Sequence, residues 1–162
     1  MTIDAAPAAF EGREAFARAL IHAMQHSAER GAAQIWWADA DFAHWPLGRA
    51  ELLDALGAWV RTGRRLTLLA AGYRDFAARH PRWVAWRRVW SHSVQCLAVH
   101  EELATQVPTL LLSADLAVRA TDPLRLRGQL VHEAAELARC RKLIEALSQR
   151  SEDSFPVTTL GL

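Results

Sequence analysis

Three short apolar runs, Ala33 to Asp39, Arg65 to Ala71 and Ser93 to Val99, are separated by helical patterns, and this alternation leaves few folds open. Glu11 to Arg30 reads as a helix with Phe16, Leu20, Ile21 and Met24 on its apolar face, and Gly31 stops it. Arg49 to Arg61 repeats the pattern with Leu52, Leu53, Leu56, Trp59 and Val60 facing inward before Thr62-Gly63 ends it. A third helical stretch starts at Arg74 and resumes at Pro81, a residue suited to the first turn. Strands joined through helices imply right-handed crossovers and a parallel sheet covered on both faces. Thr109 to Ser113 and Leu116 to Thr121 read as two further strands around an Ala114-Asp115 turn, and Asp122 to Arg127 as a loop. The last helix starts at Leu130 or His132 and runs to Gln149, with Leu137, Ile144 and Leu147 on its apolar side. Ser151 to Leu162 reads as a tail whose Phe155, Val157 and Leu160 dock on the body. The expectation is one α/β domain over residues 1–162 with a core of about 12–150. Its sheet is expected to be mixed but mostly parallel, with about five strands and helices on both faces.

The densest chemistry lies in His80 to His92, which holds three of the seven tryptophans. At about 100° per residue Trp83, Trp86 and Trp90 share one face. Arg82 and Arg87 flank that stripe, while Arg88 and His92 point away from it. Such a face is either a core anchor with arginine stems over it or a surface that holds an anion. Aromatics interleaved with arginines also suit single-stranded nucleic acid.

Against a nucleic-acid partner stands a formal net charge of +1, which supplies no global basic field. Eighteen arginines accompany a single lysine, Lys142, so no Gly-Lys-Ser/Thr phosphate loop can be written. No Gly-x-Gly-x-x-Gly follows the early strands, and no Gly-x-Ser-x-Gly elbow occurs. Cys96 and Cys140 form no C-x-x-C pair and read as buried free thiols of a reducing compartment. Residues 1–9 show no secretory pattern, and no apolar run approaches the ~20 residues of a membrane span. The expected location is the cytoplasm, with no membrane partner and with neither cofactor nor metal.

Asp39 and Asp41 follow the first apolar run, where open α/β sheets bind ligands, and His44 and Trp45 come shortly after. Two acids there can hold a divalent ion or serve as acid and base; equally, both can brace a turn while Trp45 closes over the core. Arg82, Arg87, Arg88 and His92 can bind a small anionic ligand, or pair internally with the two acids, which would remove both functional readings together. His22, His26 and Glu29 share a helix face opposite Phe16 and Leu20, which favours a solvated face over a metal site. Glu133 and Glu136 with Arg139 and Lys142 form a pattern of exposed ion pairs.

The order of elements resembles one half of the phospholipase D-like fold over roughly Gly12 to Arg150. That family carries a His-x-Lys-x-x-x-x-Asp motif on its strand pair, in which the histidine attacks phosphorus and the lysine holds the phosphate. Here Pro108-Thr-Leu-Leu-Leu-Ser-Ala-Asp115 occupies that strand. Asp115 falls on the motif aspartate, Pro108 on the histidine and Leu110 on the lysine. Cys140 stands two residues before Lys142, so His-x-Lys occurs nowhere, and Asp122-Pro-Leu-Arg125 replaces the expected Gly-Ser and Asn. The chain is also similar to an uncharacterised bacterial domain family carrying Trp-Pro-Leu and His-Pro-Arg-x-Val-x-Trp-Arg-Arg. The resemblance implies a degenerate half-domain without phosphodiesterase machinery, acting as a binding or assembly module. Helix faces more apolar than one small sheet covers add the expectation of a homodimer. The competing expectation is a phosphoester or nucleotide enzyme built on Asp39, Asp41, Arg82 and Arg88.

Overall fold

A computed structural model describes residues 8–155. In chain order the elements are β1 (Ala9–Glu11), α1 (Arg13–Arg30), β2 (Gln34–Asp39), α2 (Ala50–Trp59), β3 (Arg65–Ala70), α3 (Phe76–Arg79), α4 (Pro81–Val89), β4 (Val94–Val99), β5 (Thr109–Leu112), β6 (Ala117–Asp122), β7 (Arg127–Val131), α5 (Ala134–Ser148) and β8 (Ser151–Asp153). Short 3-10 turns at Ser91–Ser93 and Glu101–Gln106 flank β4.

All eight strands form one sheet in the order β1-β7-β6-β5-β2-β3-β4-β8. Among the described residues only β2 with β3 and β3 with β4 pair in parallel. The remaining pairings, β1–β7, β2–β5, β4–β8, β5–β6 and β6–β7, are antiparallel. The expected mostly parallel, five-stranded, phospholipase D-like sheet is therefore corrected to an eight-stranded mixed sheet that is mostly antiparallel. Parallel crossovers need a helix between strands, and that condition is met only from β2 through β4. After β4 the chain passes through a 3-10 turn to the far side of β2 and reverses, and tight turns then build the β5–β6–β7 meander. Three strands are not legible in the sequence. β1 and β8 have three residues each, too few for a period, and β7 contains a glycine.

That glycine is required by packing. A Cβ at Gly128 would lie 1.9 Å from the Arg119 carbonyl oxygen and 2.7 Å from Ala120 Cα, beside the register shift between Ala120 and Asp122. At the other end of the domain Gly31 adopts φ 66° and closes α1, its N–H reaching back to the Ala28 carbonyl.

The two faces of the sheet are covered unequally. On the first, α1 to α4 enclose a core in which Phe16, Met24, Trp37, Leu56, Trp59, Leu68, Phe76 and Trp83 are almost fully buried. Trp59 satisfies its indole N–H on the Ala32 carbonyl at 2.7 Å. On the second face α5 alone lies across the sheet, packing Leu137, Cys140, Ile144 and Leu147 on Ala38, Leu69, Leu97, Leu110 and Leu112. Cys96 and Cys140 are both buried free thiols, one in each core. Phe155 docks on the body, stacked on Tyr73 with centroids 5.4 Å apart, whereas Val157 and Leu160 lie outside the described residues. Among the described residues no helix is long and apolar enough to cross a membrane.

Candidate functional site

The carboxyl ends of β2, β3 and β4 lie at one end of the sheet, and the loop after β2 passes over them. Asp39 is committed to bracing this loop. Its Oδ2 accepts the N–H of Asp41 at 3.2 Å and of Phe42 at 2.7 Å, and its Oδ1 accepts the hydroxyl of Thr109. Asp41 in turn accepts the Ala43 N–H at 3.0 Å. These bonds hold Phe42 buried with a left-handed backbone, φ 60°, and its ring meets Trp45 and Phe76 edge-on. His80 completes the brace by donating from Nε2 to the Phe42 carbonyl at 2.9 Å. Burial holds the His80 imidazole below its ordinary pKa, and the bond to Phe42 opposes that shift only in part. Trp45 is 3% exposed and closes over the core; His44 is exposed.

The arginines do not converge on these acids. Arg82, at the start of α4, donates to the Gly48 carbonyl at 3.3 Å. Because α4 runs back along the sheet, Arg87, Arg88 and His92 lie at the opposite end, beside the start of β4. Neither the internal salt-bridge network nor the joint acid-and-arginine pocket forms. Trp83 is fully buried, while Trp86 and Trp90 are half-buried and pack against the first core.

What assembles around Arg87 is a different constellation. Arg87 is 6% exposed, donates to the Phe155 carbonyl and lies over the Phe155 ring at 5.2 Å. Its Nε is buried without an acceptor among the described residues. The guanidinium lines a cleft of about 410 Å³ with Arg65, Ser91, His92, Gln95, Cys96 and Asp153. A neighbouring cleft of about 280 Å³ shares Arg65 and His92 and adds Arg64, Gly63 and Trp90. Arg61 and Arg88 are exposed and flank the two clefts in sequence. Among the described residues none of Arg61, Arg64, Arg65, Arg87 and Arg88 forms an ion pair with a carboxylate. Four of them donate instead to neutral acceptors: Arg61 to the Val60 carbonyl at 2.7 Å, Arg64 to the Trp59 carbonyl, Arg65 to Gln95 Oε1 at 3.4 Å and Arg87 to the Phe155 carbonyl. Asp153 is the one carboxylate on either cleft among the described residues, and it accepts from Gln95 at 3.1 Å. Burial raises the Cys96 thiol to about 11, with the Arg87 charge pulling the other way.

Arg61, Arg64 and Arg65 belong to no motif and are missed by sequence reasoning, although Arg61-Thr-Gly-Arg-Arg65 is a visible basic run. Asp115 closes the β5–β6 turn and is held by His26 at 3.1 Å and Arg30 at 3.3 Å. Burial would raise its carboxyl, but these two partners outweigh it and keep the pKa below the usual range. His22 stacks near His26 with centroids 6.5 Å apart, and burial first, then the His26 and His132 charges, lower its pKa. Among the described residues no group of three or more His, Cys, Asp or Glu side chains is placed to hold a metal ion.

No family model and no curated protein matches the chain. A solved structure that it resembles is that of TrmBL2, described as an archaeal chromatin protein with a novel mode of DNA binding, at TM-score 0.64 and 11% identity. The match covers 94% of this chain and 56% of that one, so the chain spans little more than half the length of this neighbour. At that identity the likeness speaks to fold alone. The reading of net charge against a nucleic-acid partner does not stand beside this neighbour, which is itself described as binding DNA. Net charge adds charges without regard to place: the sum is +1, yet among the described residues Arg61, Arg64, Arg65, Arg87 and Arg88 lie toward one end of the sheet without an ion pair.

Proposed function

We propose that the chain is a non-catalytic binding module that takes up the phosphate backbone of nucleic acid along the Arg64, Arg65, Arg87 and His92 clefts. The observation that carries this reading is the buried Arg87 guanidinium, which lines an open cleft and has no carboxylate counter-ion among the described residues. The Phe155 carbonyl and ring meet the guanidinium without neutralising it, and a phosphate oxygen at the cleft supplies the counter-charge. Arg61 and Arg88 extend the surface, so that several phosphates are met in succession. Support also comes from the fold shared with the DNA-binding TrmBL2 and from the missing phosphodiesterase pair at Pro108 and Leu110. The buried free thiols suit a cytoplasmic setting.

Fluorescence anisotropy with labelled oligonucleotides over a salt series tests this. Arg61→Gln/Arg65→Gln/Arg88→Gln removes three exposed cations. The expected result is weaker binding and a slope of log affinity against log salt reduced by about 1 for each phosphate left unneutralised. No binding at about 50 mM salt, or an unchanged slope in the triple variant, overturns the reading.

A further inference from the structure

The second face of the sheet is left accessible at Gln34, Trp36, Arg65 and Gln95. α5 lies across β4, β5 and β8 and seals Ala38, Leu69 and Leu97. The starts of β2, β3 and β4 carry a different row on that face. Register places Trp36 between Leu112 of β5 and Thr67 of β3, with Gln95 of β4 next in line. Gln34 and Arg65 form the adjacent pair one step nearer the clefts. Trp36 is half-buried and packed on the second core, Gln34 and Gln95 are likewise half-exposed, and Leu112 and Thr67 beside the indole are buried.

From this placement, and resting on the phosphate reading above, we infer that the half-exposed Gln34, Trp36 and Gln95 bind unpaired bases of a single-stranded nucleic acid, with Trp36 as the stacking platform. Arg65 belongs to both surfaces: it lines both clefts and bonds to Gln95 in the row. A strand whose phosphates run along the clefts therefore turns its bases toward Trp36. The polar groups around the indole are fixed in advance. Gln34 Nε2 donates to the Ile35 carbonyl at 3.0 Å and to Thr67 Oγ1 at 3.3 Å, and Gln95 bridges Arg65 and Asp153. Gln34 Oε1 is thereby oriented to accept from a base edge without further ordering cost. A duplex cannot use this row. Its bases are already stacked on one another, and an indole lying on a strand face does not reach into either groove, whereas a splayed base brings an open π-face.

The test uses the full chain, a labelled oligo-dT of about twenty nucleotides and a hairpin duplex of equal length, read by anisotropy. Trp36→Leu should weaken oligo-dT binding about tenfold while leaving hairpin affinity and the salt slope unchanged. Trp36→Phe should retain most of the single-strand affinity. Oligo-dT should quench tryptophan emission in the original protein more than in Trp36→Phe, a difference that a purely structural indole would not produce. Equal weakening on both nucleic acids, a preference for the hairpin, or identical quenching overturns the inference. If hairpin binding persists and still falls in Arg61→Gln/Arg65→Gln/Arg88→Gln, only the base-stacking step has failed. Absence of binding to either nucleic acid overturns both readings.

Discussion

Asp39 accepts three hydrogen bonds, from two backbone N–H groups and from Thr109, and has no need of a ligand. Asp39→Ala should cost about 1–3 kcal/mol in denaturant unfolding, because it strands the part-buried Phe42 N–H and Thr109 hydroxyl, and should leave oligonucleotide affinity unchanged. An acid at the end of a strand looks the same in sequence whether it braces a turn or holds a ligand. The choice depends on Thr109, seventy residues away, and is therefore not legible. Asp153→Asn should act in the opposite sense to the arginine variants. Removing the carboxylate from the cleft should strengthen oligonucleotide binding about two- to threefold, the scale of one screened surface charge pair. The buried His80 gives a pH signature. Its folded pKa lies below the 6.5 of the free imidazole, so below pH 6.5 the unfolded chain binds more protons than the folded one. Its share of the stability is intact above 6.5 and declines as pH falls toward the folded value, and His22 adds a change of the same sign. Thermal melts should thus show Tm falling from pH 8 to pH 5, less steeply in His80→Gln.

Within α4 the three tryptophans share a stripe but not an environment. Trp83 is fully buried among Trp37, Phe76 and Trp86, while Trp90 stands half-buried at the end of the helix. Trp83→Ala should cost about 3–5 kcal/mol in denaturant unfolding, and Trp90→Ala clearly less. The stripe is legible because helical spacing reveals which residues share a face. Depth is not, since it depends on where β2 and α3 place Trp37 and Phe76. Among the strands, β2 to β6 are readable as stretches of four to six residues rich in apolar side chains. β7 alternates in the expected way, Gly128 and Leu130 inward and Arg127 and Gln129 outward, but its glycine reads as a break rather than as the point of closest approach to β6. Gly128→Ala should accordingly lower Tm by several degrees, since the Arg119 backbone cannot give way without opening the ladder.

At the scale of the whole molecule, charge is sorted by place. Glu11, Glu14, Glu51, Glu102, Asp115, Asp122 and Glu136 pair with arginines away from the clefts, whereas among the described residues Arg61, Arg64, Arg65, Arg87 and Arg88, near the starts of β3 and β4, form no ion pair although the sum is +1. Such sorting is invisible to composition, which adds charges without regard to position. The sheet itself ends in two stubs, β1 and β8, each only three residues long. A sheet of this width offers two flanks along which another chain could pair, and a stub exposes too few free amides to template a neighbour. β1 therefore works as a stopper. Deleting residues 1–11 would bare the whole of Arg127–Val131, and the truncated protein should sediment as growing aggregates while the full chain stays dispersed.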